Sequence, residues 1–394
     1  MAGIVASAHG AHRRRHRHAP EPPPAVALSS IRVYGGVPAP FALYAKAEML
    51  VDAHSGAVLY AFNEHERIQP ASLAKIMTFY LTLEALHAGR ITLDTEVPIS
   101  EAAWRLSLNR SVSRMFLQVG QQVKVRDLLY GLVVSSGNDA AVALAEYLGG
   151  SADGFAAQMN RTAKKLELTE THFENPDGLP VEGQYTTAAD MVKLARAVIT
   201  RFPDALTYTS TKEFTFDRIR QRNFNTLLFY DSRVNGLKTG HVEEAGFHLV
   251  ATARAGSTEL ISALLGAPSA QKRRTETEKL IDWAFRTYDT VEPQWQKAMP
   301  ATLPVYEGAA PEVAIAPASV PYVTVLKGKE ASVATAAALQ SGYVIAPVSK
   351  GARVGELTIS VGGQPAATVP VETEAAVGQG GFLKRVADRV RLML

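Results

Sequence analysis

Three short polar motifs, far apart in the chain, constrain the fold more than any other feature of the sequence. They are Ser72-Leu73-Ala74-Lys75, Ser136-Gly137-Asn138 and Lys238-Thr239-Gly240, separated by about 60 and about 100 residues. The third occurs once, whereas Ser-x-x-Lys recurs at 269–272 and Ser-x-Asn at 107–109. If the three act together, the fold must bring a hydroxyl, two amines and a turn from remote segments to one cavity.

The first motif opens an apolar run and supplies a potential nucleophile and base. In a helix, Ser72 and Lys75 share one face about one turn apart, where backbone N–H groups are unpaired. A desolvated, neutral Lys75 can accept the Ser72 proton, which a free hydroxyl does not release unaided. For an isolated Ser-x-x-Lys the alternative is an N-cap Ser followed by a solvated Lys. The other two motifs favour the catalytic interpretation.

Length and charge limit the classes of protein that the chain can belong to. A chain of 394 residues is longer than one hydrophobic core of ordinary size can organise, and an apolar content of 47% is enough to fill the cores of two domains. The net charge of +3 comes from four arginines in 13–17 and from 382–394, so the body carries about −4. This distribution argues against a nucleic-acid groove.

No cysteine occurs, which excludes disulfides, thiolate catalysis and Cys-ligated zinc. No cofactor and no metal site is predicted.

Residues 1–38 are predicted to be a disordered basic and Pro-rich segment. The stretch Ala2–Ala8 is small and apolar and ends in the small-x-small form of a signal cleavage site, but is too short for a complete signal peptide. We expect a truncated export signal, and the alternative is an untargeted tail. The His/Arg run 12–18 and the Pro-rich run 20–24 bury too little apolar surface to fold.

Residues 39–298 are predicted to form one mixed α and β domain with a mainly antiparallel sheet. A hairpin over 47–62, with a turn at Ser55-Gly56, precedes the first motif. Helices follow, then strands joined by short turns, then a closing helix over 277–288. The other predicted helices are 76–86, 125–134, 140–148, 156–166 and 188–199, and the later strands are 213–216, 226–230, 234–241, 246–253 and 260–265.

Strand patterns continue to the end of the chain, where a helix is predicted. Residues 299–375 are predicted to be a small β-sandwich without a catalytic set, followed by an amphipathic helix in 376–394. The helix is too short to span a bilayer, so we expect it to lie in the headgroup region of a membrane. The alternative is packing on its own domain or on a partner. The apolar side consists of Phe382, Leu383, Val386, Val390, Met393 and Leu394.

The three motifs are close to the signature of penicillin-binding proteins and class A β-lactamases, with Gly137 where that signature has Asp. From about Glu48 onward the chain resembles the low-molecular-weight D-alanyl-D-alanine carboxypeptidases of the penicillin-binding protein 5 type. The segments that carry the resemblance are Pro70-Ala71-Ser72-Leu73, Ser136-Gly137-Asn138-Asp139-Ala140, Thr171-His172-Phe173, Gly183-Gln184-Tyr185, Glu213-Phe214-Thr215-Phe216 and Gly236-Leu237-Lys238-Thr239-Gly240-His241.

The resemblance implies an α/β (α+β) transpeptidase domain of the penicillin-binding and serine β-lactamase-like fold, with 39–298 as the catalytic domain. It further implies a C-terminal membrane helix and export, which would leave the protein in the periplasm, attached to the outer face of the inner membrane. The implied activity is removal of the terminal D-alanine from peptidoglycan stem pentapeptides.

In the implied reaction the substrate acylates Ser72. Lys75 is the expected base, its pKa lowered by burial and by the charge of Lys238. Ser136 is expected to relay a proton to the leaving amine. By resemblance, the backbone N–H groups of Ser72 and His241 form the oxyanion hole.

Substrate binding is expected to use the second and third motifs. Asn138 would orient the acyl portion, and the strand from Lys238 to His241 would pair with the substrate backbone. Gly240 permits close approach, and Thr239 would bond the terminal carboxylate.

Two departures from the family pattern affect the prediction. Val242 stands where members often have Thr, and an Arg expected near Phe224 is missing, so carboxylate recognition falls to Arg273 or Arg274, with Arg273 the predicted residue. No Glu-x-x-x-Asn pair is present of the kind that activates hydrolytic water in class A β-lactamases. β-Lactams are therefore expected to inhibit covalently. The alternative functions are a β-lactamase and a catalytically silent wall-binding protein.

Overall fold

The computed structural model of the protein describes residues 28–393. The predicted export signal and the basic and Pro-rich runs lie outside these residues, as does Leu394. Disorder was predicted through residue 38, but Arg32–Val33 forms a short strand. This part of the prediction is wrong because the strand pairs with Ala61 and Tyr60, and Ile31 is buried in the core.

The strands of the first domain form one large sheet and two small ones, except for the last strand, which pairs with a strand of the C-terminal domain. In chain order they are Arg32–Val33 (β1), Ala47–Asp52 (β2), Val58–Phe62 (β3), Glu96–Pro98 (β4), Gln122–Lys124 (β5), Glu213–Phe216 (β6), Ile219–Arg222 (β7), Val234–Val242 (β8), Gly246–Ala255 (β9), Thr258–Ala267 (β10) and Tyr288–Val291 (β11). The large sheet is antiparallel, in the order β1-β3-β2-β10-β9-β8. The strand β8, which carries the third motif, therefore lies at its edge.

Helices cover both faces of this sheet. They are Lys75–His87 (α1), Glu101–Leu108 (α2), Val125–Val133 (α3), Asn138–Gly149 (α4), Ala152–Lys165 (α5), Ala188–Arg201 (α6), Ala205–Thr209 (α7) and Ala270–Thr287 (α8). Successive strand residues point to opposite faces, so Val250 packs with the core of α1 and α3 to α6, whereas Leu249 packs with that of α8. The predicted α and β fold with a mainly antiparallel sheet is confirmed.

Two elements differ from their predictions. The predicted strand 226–230 is wrong, because Thr226–Phe229 is a 3-10 turn that buries Leu227 and Leu228 together, whereas a strand would point them to opposite sides. The helix predicted over 277–288 is α8, which begins earlier because Ser269 accepts a hydrogen bond from the Lys272 N–H. The second Ser-x-x-Lys is thus an ordinary helix cap.

The C-terminal domain is rich in strands, as predicted. Its elements are Thr302–Tyr306 (β12), Glu312–Pro317 (β13), Val323–Leu326 (β14), Val333–Leu339 (β15), Val344–Ile345 (β16), Arg353–Val361 (β17), Gln364–Thr373 (β18) and Phe382–Met393 (α9). Six strands form a sheet in the order β15-β17-β18-β13-β12-β16. Within residues 28–393 no helix has the length and the apolar character needed to cross a bilayer.

Buried Asp52, at the end of β2, joins the two domains. The strand β14 leaves the C-terminal domain and pairs with β11 of the first domain. Asp52 Oδ2 accepts hydrogen bonds from Thr290 Oγ1 of β11 (2.7 Å) and Thr324 Oγ1 of β14 (2.6 Å), while Oδ1 accepts from the backbone N–H of His54. One carboxylate therefore satisfies donors from both domains.

We expect Asp52→Ala to lower the free energy of unfolding by about 3 kcal/mol, because it leaves several buried donors without an acceptor. Urea denaturation followed by circular dichroism measures the change. The matched variant Thr290→Val removes a single donor and should cost about 1 kcal/mol. Equal losses in the two variants would contradict the role given to the carboxylate.

Candidate active site

One cavity, with a volume of about 360 Å³, collects side chains from all three motifs. The predicted site residues that line it are Ser72, Ser136, Asn138, Thr239, Gly240, His241 and Arg273. Lys75 and Lys238 lie beneath the lining and reach it through hydrogen bonds to Ser72 and Ser136. The fold therefore brings the three remote segments together.

Ser72 lies in a 3-10 turn, Ala71–Ala74, that leads directly into α1. Side chains three residues apart eclipse each other in a 3-10 turn, and Lys75 Nζ is accordingly 3.0 Å from Ser72 Oγ. Ala71 adopts a left-handed φ of 48°, which is strained for a residue with a Cβ. This backbone bend presents the Ser72 hydroxyl to the cavity.

Lys75 is fully buried among oxygen acceptors. Its Nζ donates to Asn138 Oδ1 (2.7 Å) and to the carbonyl of Asp177 (2.5 Å), as well as to Ser72. Burial lowers the pKa of Lys75 to about 8, although the carboxylates of Asp177 and Asp139 act to raise it. The amine can therefore exist uncharged near neutral pH.

Burial lowers the pKa of Lys75, and the charge effect between the two lysines falls on Lys238 and not on Lys75 as predicted. The pKa of Lys238 is lowered well below its usual value by burial first and then by the charges of Lys75 and Arg273. Repulsion between two ammonium groups is mutual, but burial dominates at Lys75. The cavity therefore disfavours two charged lysines at once.

The second motif holds two polar side chains between the lysines. Ser136 Oγ accepts from Lys238 Nζ at 2.9 Å, and Ser136 has a left-handed φ of 55°. Asn138 begins α4 and donates through Nδ2 to the carbonyl of Ser113 (2.9 Å), which leaves its Oδ1 for Lys75. The carbonyl of Ser113 only accepts, so the amide orientation of Asn138 is determined by this partner.

Sequence reasoning missed Asp139, which supports this turn. Its buried carboxylate accepts from the backbone N–H groups of Met115, Phe116 and Leu117 and from Ser107 Oγ. It thereby fixes the loop that carries Ser113 against the N-terminus of α4. An Asp directly before the helix predicted over 140–148 was the available signal.

The third motif lies on the edge strand β8, whose one paired neighbour in the sheet is β9. An unpaired strand edge can add an extended peptide as a further strand. A Cβ on Gly240 would come within 3.1 Å of the Pro70 carbonyl oxygen and 3.3 Å of Ala71 Cβ. Glycine therefore allows β8 to pack closely against the segment before Ser72.

Of the two arginines considered for carboxylate recognition, Arg273 lines the cavity. It is buried, donates to the carbonyl of Phe224 (3.3 Å) and has a pKa lowered by burial to about 10. Arg274 instead pairs with Glu278 and lies over the ring of Tyr230. Nearby, the exposed ring of His241 stacks on Phe247, with ring centroids 3.9 Å apart, and Arg273 lies 5.9 Å from the centroid of the same Phe247 ring.

The loop 175–179, seen in the sequence only as a turn, forms the wall of the cavity beside Ser72. Asp177 supplies the carbonyl that binds Lys75, and Thr78 Oγ1 donates to the Pro176 carbonyl at 2.6 Å. Gly178 has φ 80°, and a Cβ there would lie 1.8 Å from the carbonyl oxygen of Ala71. The sequence predicts the loop but not its contact with the segment from Ala71 to Lys75, which is distant along the chain.

The chain matches two family models that together cover most of its length. Residues 36–269 match the model described as D-alanyl-D-alanine carboxypeptidase, and residues 288–379 match the model described as penicillin-binding protein 5, C-terminal domain.

Relatives and solved structures agree with these matches. The chain is 40% identical over 351 residues to D-alanyl-D-alanine carboxypeptidase DacC of Escherichia coli, covering 88% of each chain. It is 32% identical to DacF of Bacillus subtilis, covering 86% of this chain and 87% of that one. The structure is similar to penicillin-binding protein 5 from Haemophilus influenzae, with a TM-score of 0.77 and 35% identity, covering 86% of this chain and 99% of that one.

We expect Gly178→Ala to slow labelling by a fluorescent penicillin at least tenfold, because the added methyl group displaces the loop from Ala71 and Ser72. The control is Gly56→Ala, which also changes a glycine with positive φ but meets no atom closer than 3.8 Å. Gly56→Ala should lose roughly 1 kcal/mol of stability to backbone strain, and Gly178→Ala should lose more because its methyl group overlaps the Ala71 carbonyl. Normal labelling in Gly178→Ala, or an equal loss in Gly56→Ala, would contradict this account.

Proposed function

This chain belongs to the D-alanyl-D-alanine carboxypeptidase family and is a serine-type D-Ala-D-Ala carboxypeptidase, and from that premise we propose the roles of its residues and its place in the cell. The observation that carries the assignment of roles is the contact of a hydroxyl with a fully buried amine, Ser72 Oγ to Lys75 Nζ at 3.0 Å. The pair lies beside a sheet edge that can bind an extended peptide.

Ser72 is the proposed nucleophile and Lys75 its base. A neutral Lys75 uses two N–H bonds, to Asn138 Oδ1 and to the Asp177 carbonyl, and directs its lone pair toward the Ser72 hydroxyl. It takes the hydroxyl proton as Oγ attacks the carbonyl carbon between the two D-alanines. The charge that develops on the carbonyl oxygen is bound by the backbone N–H groups of Ser72 and His241.

Breakdown of the tetrahedral intermediate requires a proton on the leaving amine. Ser136 Oγ is the proposed donor, oriented by the hydrogen bond that it accepts from Lys238 Nζ at 2.9 Å, and its proton is replaced by the one that Lys75 took from Ser72. The released D-alanine leaves an acyl group on Ser72, and water then hydrolyses that ester to restore the hydroxyl.

Substrate orientation is assigned to the remaining residues of the cavity. The edge of β8 pairs with the stem-peptide backbone, and Asn138 binds the amide of the acyl portion. The terminal carboxylate is bound by Thr239 and by Arg273, whose buried guanidinium is the cation that lines the cavity among the described residues.

β-Lactams are proposed to acylate Ser72 and to leave slowly. No carboxylate side chain lines the cavity in the described part of the chain, so a general base that would activate water against the bound antibiotic is missing there. This set of lining side chains disfavours the alternative that the protein is a β-lactamase.

We expect Ser72→Ala to abolish both D-alanine release from a stem pentapeptide and labelling by a fluorescent penicillin.

In the unaltered protein the acylation rate should fall about tenfold per pH unit below 8 and level off above about 9, because only neutral Lys75 accepts the proton. Rates measured by stopped flow between pH 6 and 10 test this. Residual D-alanine release by Ser72→Ala, or a rate independent of pH below 8, would refute the assignment.

The protein is proposed to act in the periplasm, attached to the outer face of the inner membrane through α9. The helix contacts its domain by polar groups, since Asp388 accepts from the Glu307 N–H (2.7 Å) and Arg389 pairs with the Glu307 carboxylate (2.7 Å). The opposite side presents apolar residues to solvent. They are Phe382, Leu383, Val386, Val390 and Met393.

We expect replacement of Leu383, Val386 and Val390 by Gln to reduce binding to vesicles with anionic lipid at least tenfold, since apolar insertion is lost. Vesicle flotation measures bound protein, and D-alanine release from soluble pentapeptide should stay unchanged. The matched control is Arg385→Gln with Arg391→Gln, which keeps the apolar side and should weaken binding mainly at low salt. Unchanged binding of the triple variant would show that α9 is not the anchor.

A further inference from the structure

His248, on β9, is a fully buried residue that no catalytic step uses. Its Nε2 lies 3.1 Å from the backbone oxygen of Gln69, and its Nδ1 lies 2.9 Å from the backbone nitrogen of Gly266. A carbonyl oxygen only accepts and a backbone N–H only donates. The ring is therefore neutral, with its proton on Nε2, and it bridges two backbone segments.

The two segments and the neighbours of His248 belong to the active site. Gln69 lies three residues before Ser72, and Gly240 is the cross-strand partner of His248. The ring carbon Cδ2 would lie 3.3 Å from a Cβ on Gly240. The backbone oxygen of His248 is within 3.5 Å of Arg273 Nη1. This residue thus touches the segment before the nucleophile, the edge strand and the carboxylate-binding arginine.

No other side chain takes the place of this link. Among residues 28–393, the hydrogen bond to Gln69 is the one that connects the large sheet to 69–71, because the contact of Gly240 with Pro70 is van der Waals packing. Pro70 has no N–H to offer the sheet. The position of the 3-10 turn beside β8 therefore depends on this hydrogen bond in addition to the direct packing of Gly240 against Pro70 and Ala71.

The surroundings keep His248 in this tautomer. Burial lowers its pKa to about 3, the carbonyl of Gln69 acts to raise it, and the charges of Arg273 and Lys46 lower it further. A protonated ring would also direct its Nδ1–H at the N–H of Gly266. The bridge is therefore maintained at every pH at which Lys75 can be neutral.

We propose that His248 is a positioning residue for acyl transfer: the hydrogen bond from its Nε2–H to the Gln69 carbonyl sets the distance between Ser72 and the strand that binds the substrate. This inference rests on the proposed role of Ser72 as nucleophile. Displacement of reacting groups by about 1 Å reduces rates by about a hundredfold, so a weakened bridge should slow acylation without changing its chemistry.

Two variants separate the two hydrogen bonds of the ring. In His248→Gln the amide nitrogen reaches the former position of Nε2 and keeps the bond to Gln69. In His248→Asn the shorter side chain places its oxygen near the former position of Nδ1, so it keeps the bond from Gly266 and loses the one to Gln69. The control Thr252→Val removes a buried hydrogen bond of the same strand, from Thr252 Oγ1 to Asn235 Oδ1 at 2.6 Å.

We expect the acylation rate constant for a fluorescent penicillin, and kcat for D-alanine release, to fall 10- to 100-fold in His248→Asn and less than about fivefold in His248→Gln. Thermal unfolding midpoints should decrease by similar amounts in both, and Thr252→Val should lower the midpoint while keeping the rates. The inference would be overturned if His248→Asn kept the wild-type rates. It would also be overturned if the rates of all three variants decreased in proportion to the decrease in their unfolding midpoints. If His248→Gln fails to fold, the comparison of His248→Asn with Thr252→Val decides.

The proposed function is tested separately by the unaltered protein. If a fluorescent penicillin labels the wild type and not Ser72→Ala, the nucleophile is established whatever the His248 variants do. If the wild type is labelled at another residue, the proposed function fails, and the inference about His248 fails with it.

Discussion

Burial of the Lys75 ammonium group is the constraint on which the rest of the site depends. An amine without water is stable only where oxygen acceptors replace its hydration. Here three acceptors do so, and they come from the 3-10 turn of Ser72, the start of α4 and the loop 175–179. The three segments must therefore converge for the lysine to be buried, and their convergence leaves the Ser72 hydroxyl at the mouth of a cavity. Stability of the buried amine and reactivity of the hydroxyl thus have one structural cause.

The large sheet determines where this cluster can form. Its edge strand β8 brings Lys238 to Ser136 and keeps one row of backbone groups unpaired by other strands. The core on one face includes Leu73 and Ile76 of the segment that carries the nucleophile, and α8 on the other face brings Arg273 to the cavity. Chemistry therefore takes place at the boundary between a sheet edge and a helix N-terminus, where peptide-binding and charge-stabilising groups are both available.

Sequence reasoning predicted the features that depend on local chemistry and missed those that depend on remote partners. The helices around 76–86 and 188–199 and the hairpin over 47–62 follow from apolar periodicity and turn residues, and the structure contains them. The sequence predicts a strand where Thr226–Phe229 forms a 3-10 turn, because both conformations accommodate a short apolar run. Asp139 and His248 gave little signal since, apart from the N–H of Ala140 next to Asp139, the backbone groups that they bind lie 22 or more residues away or in other strands. The grouping of Ser72, Lys75, Ser136 and Lys238 was accessible only because the three motifs were considered together.

The strain at two backbone positions explains why so many contacts surround two hydroxyl groups. Ala71 and Ser136 both adopt left-handed φ values, at a cost of the order of 1–3 kcal/mol each. Such conformations persist only where the surroundings determine them, and here Gly178 packs against Ala71 while Asp139 holds the loop opposite Ser136. The hydroxyls of Ser72 and Ser136 are consequently directed at their lysines before any substrate binds. Folding therefore already places these hydroxyls and lysines in the arrangement that acylation requires. Because they need not be rearranged during the reaction, the free-energy barrier of the chemical step is lower.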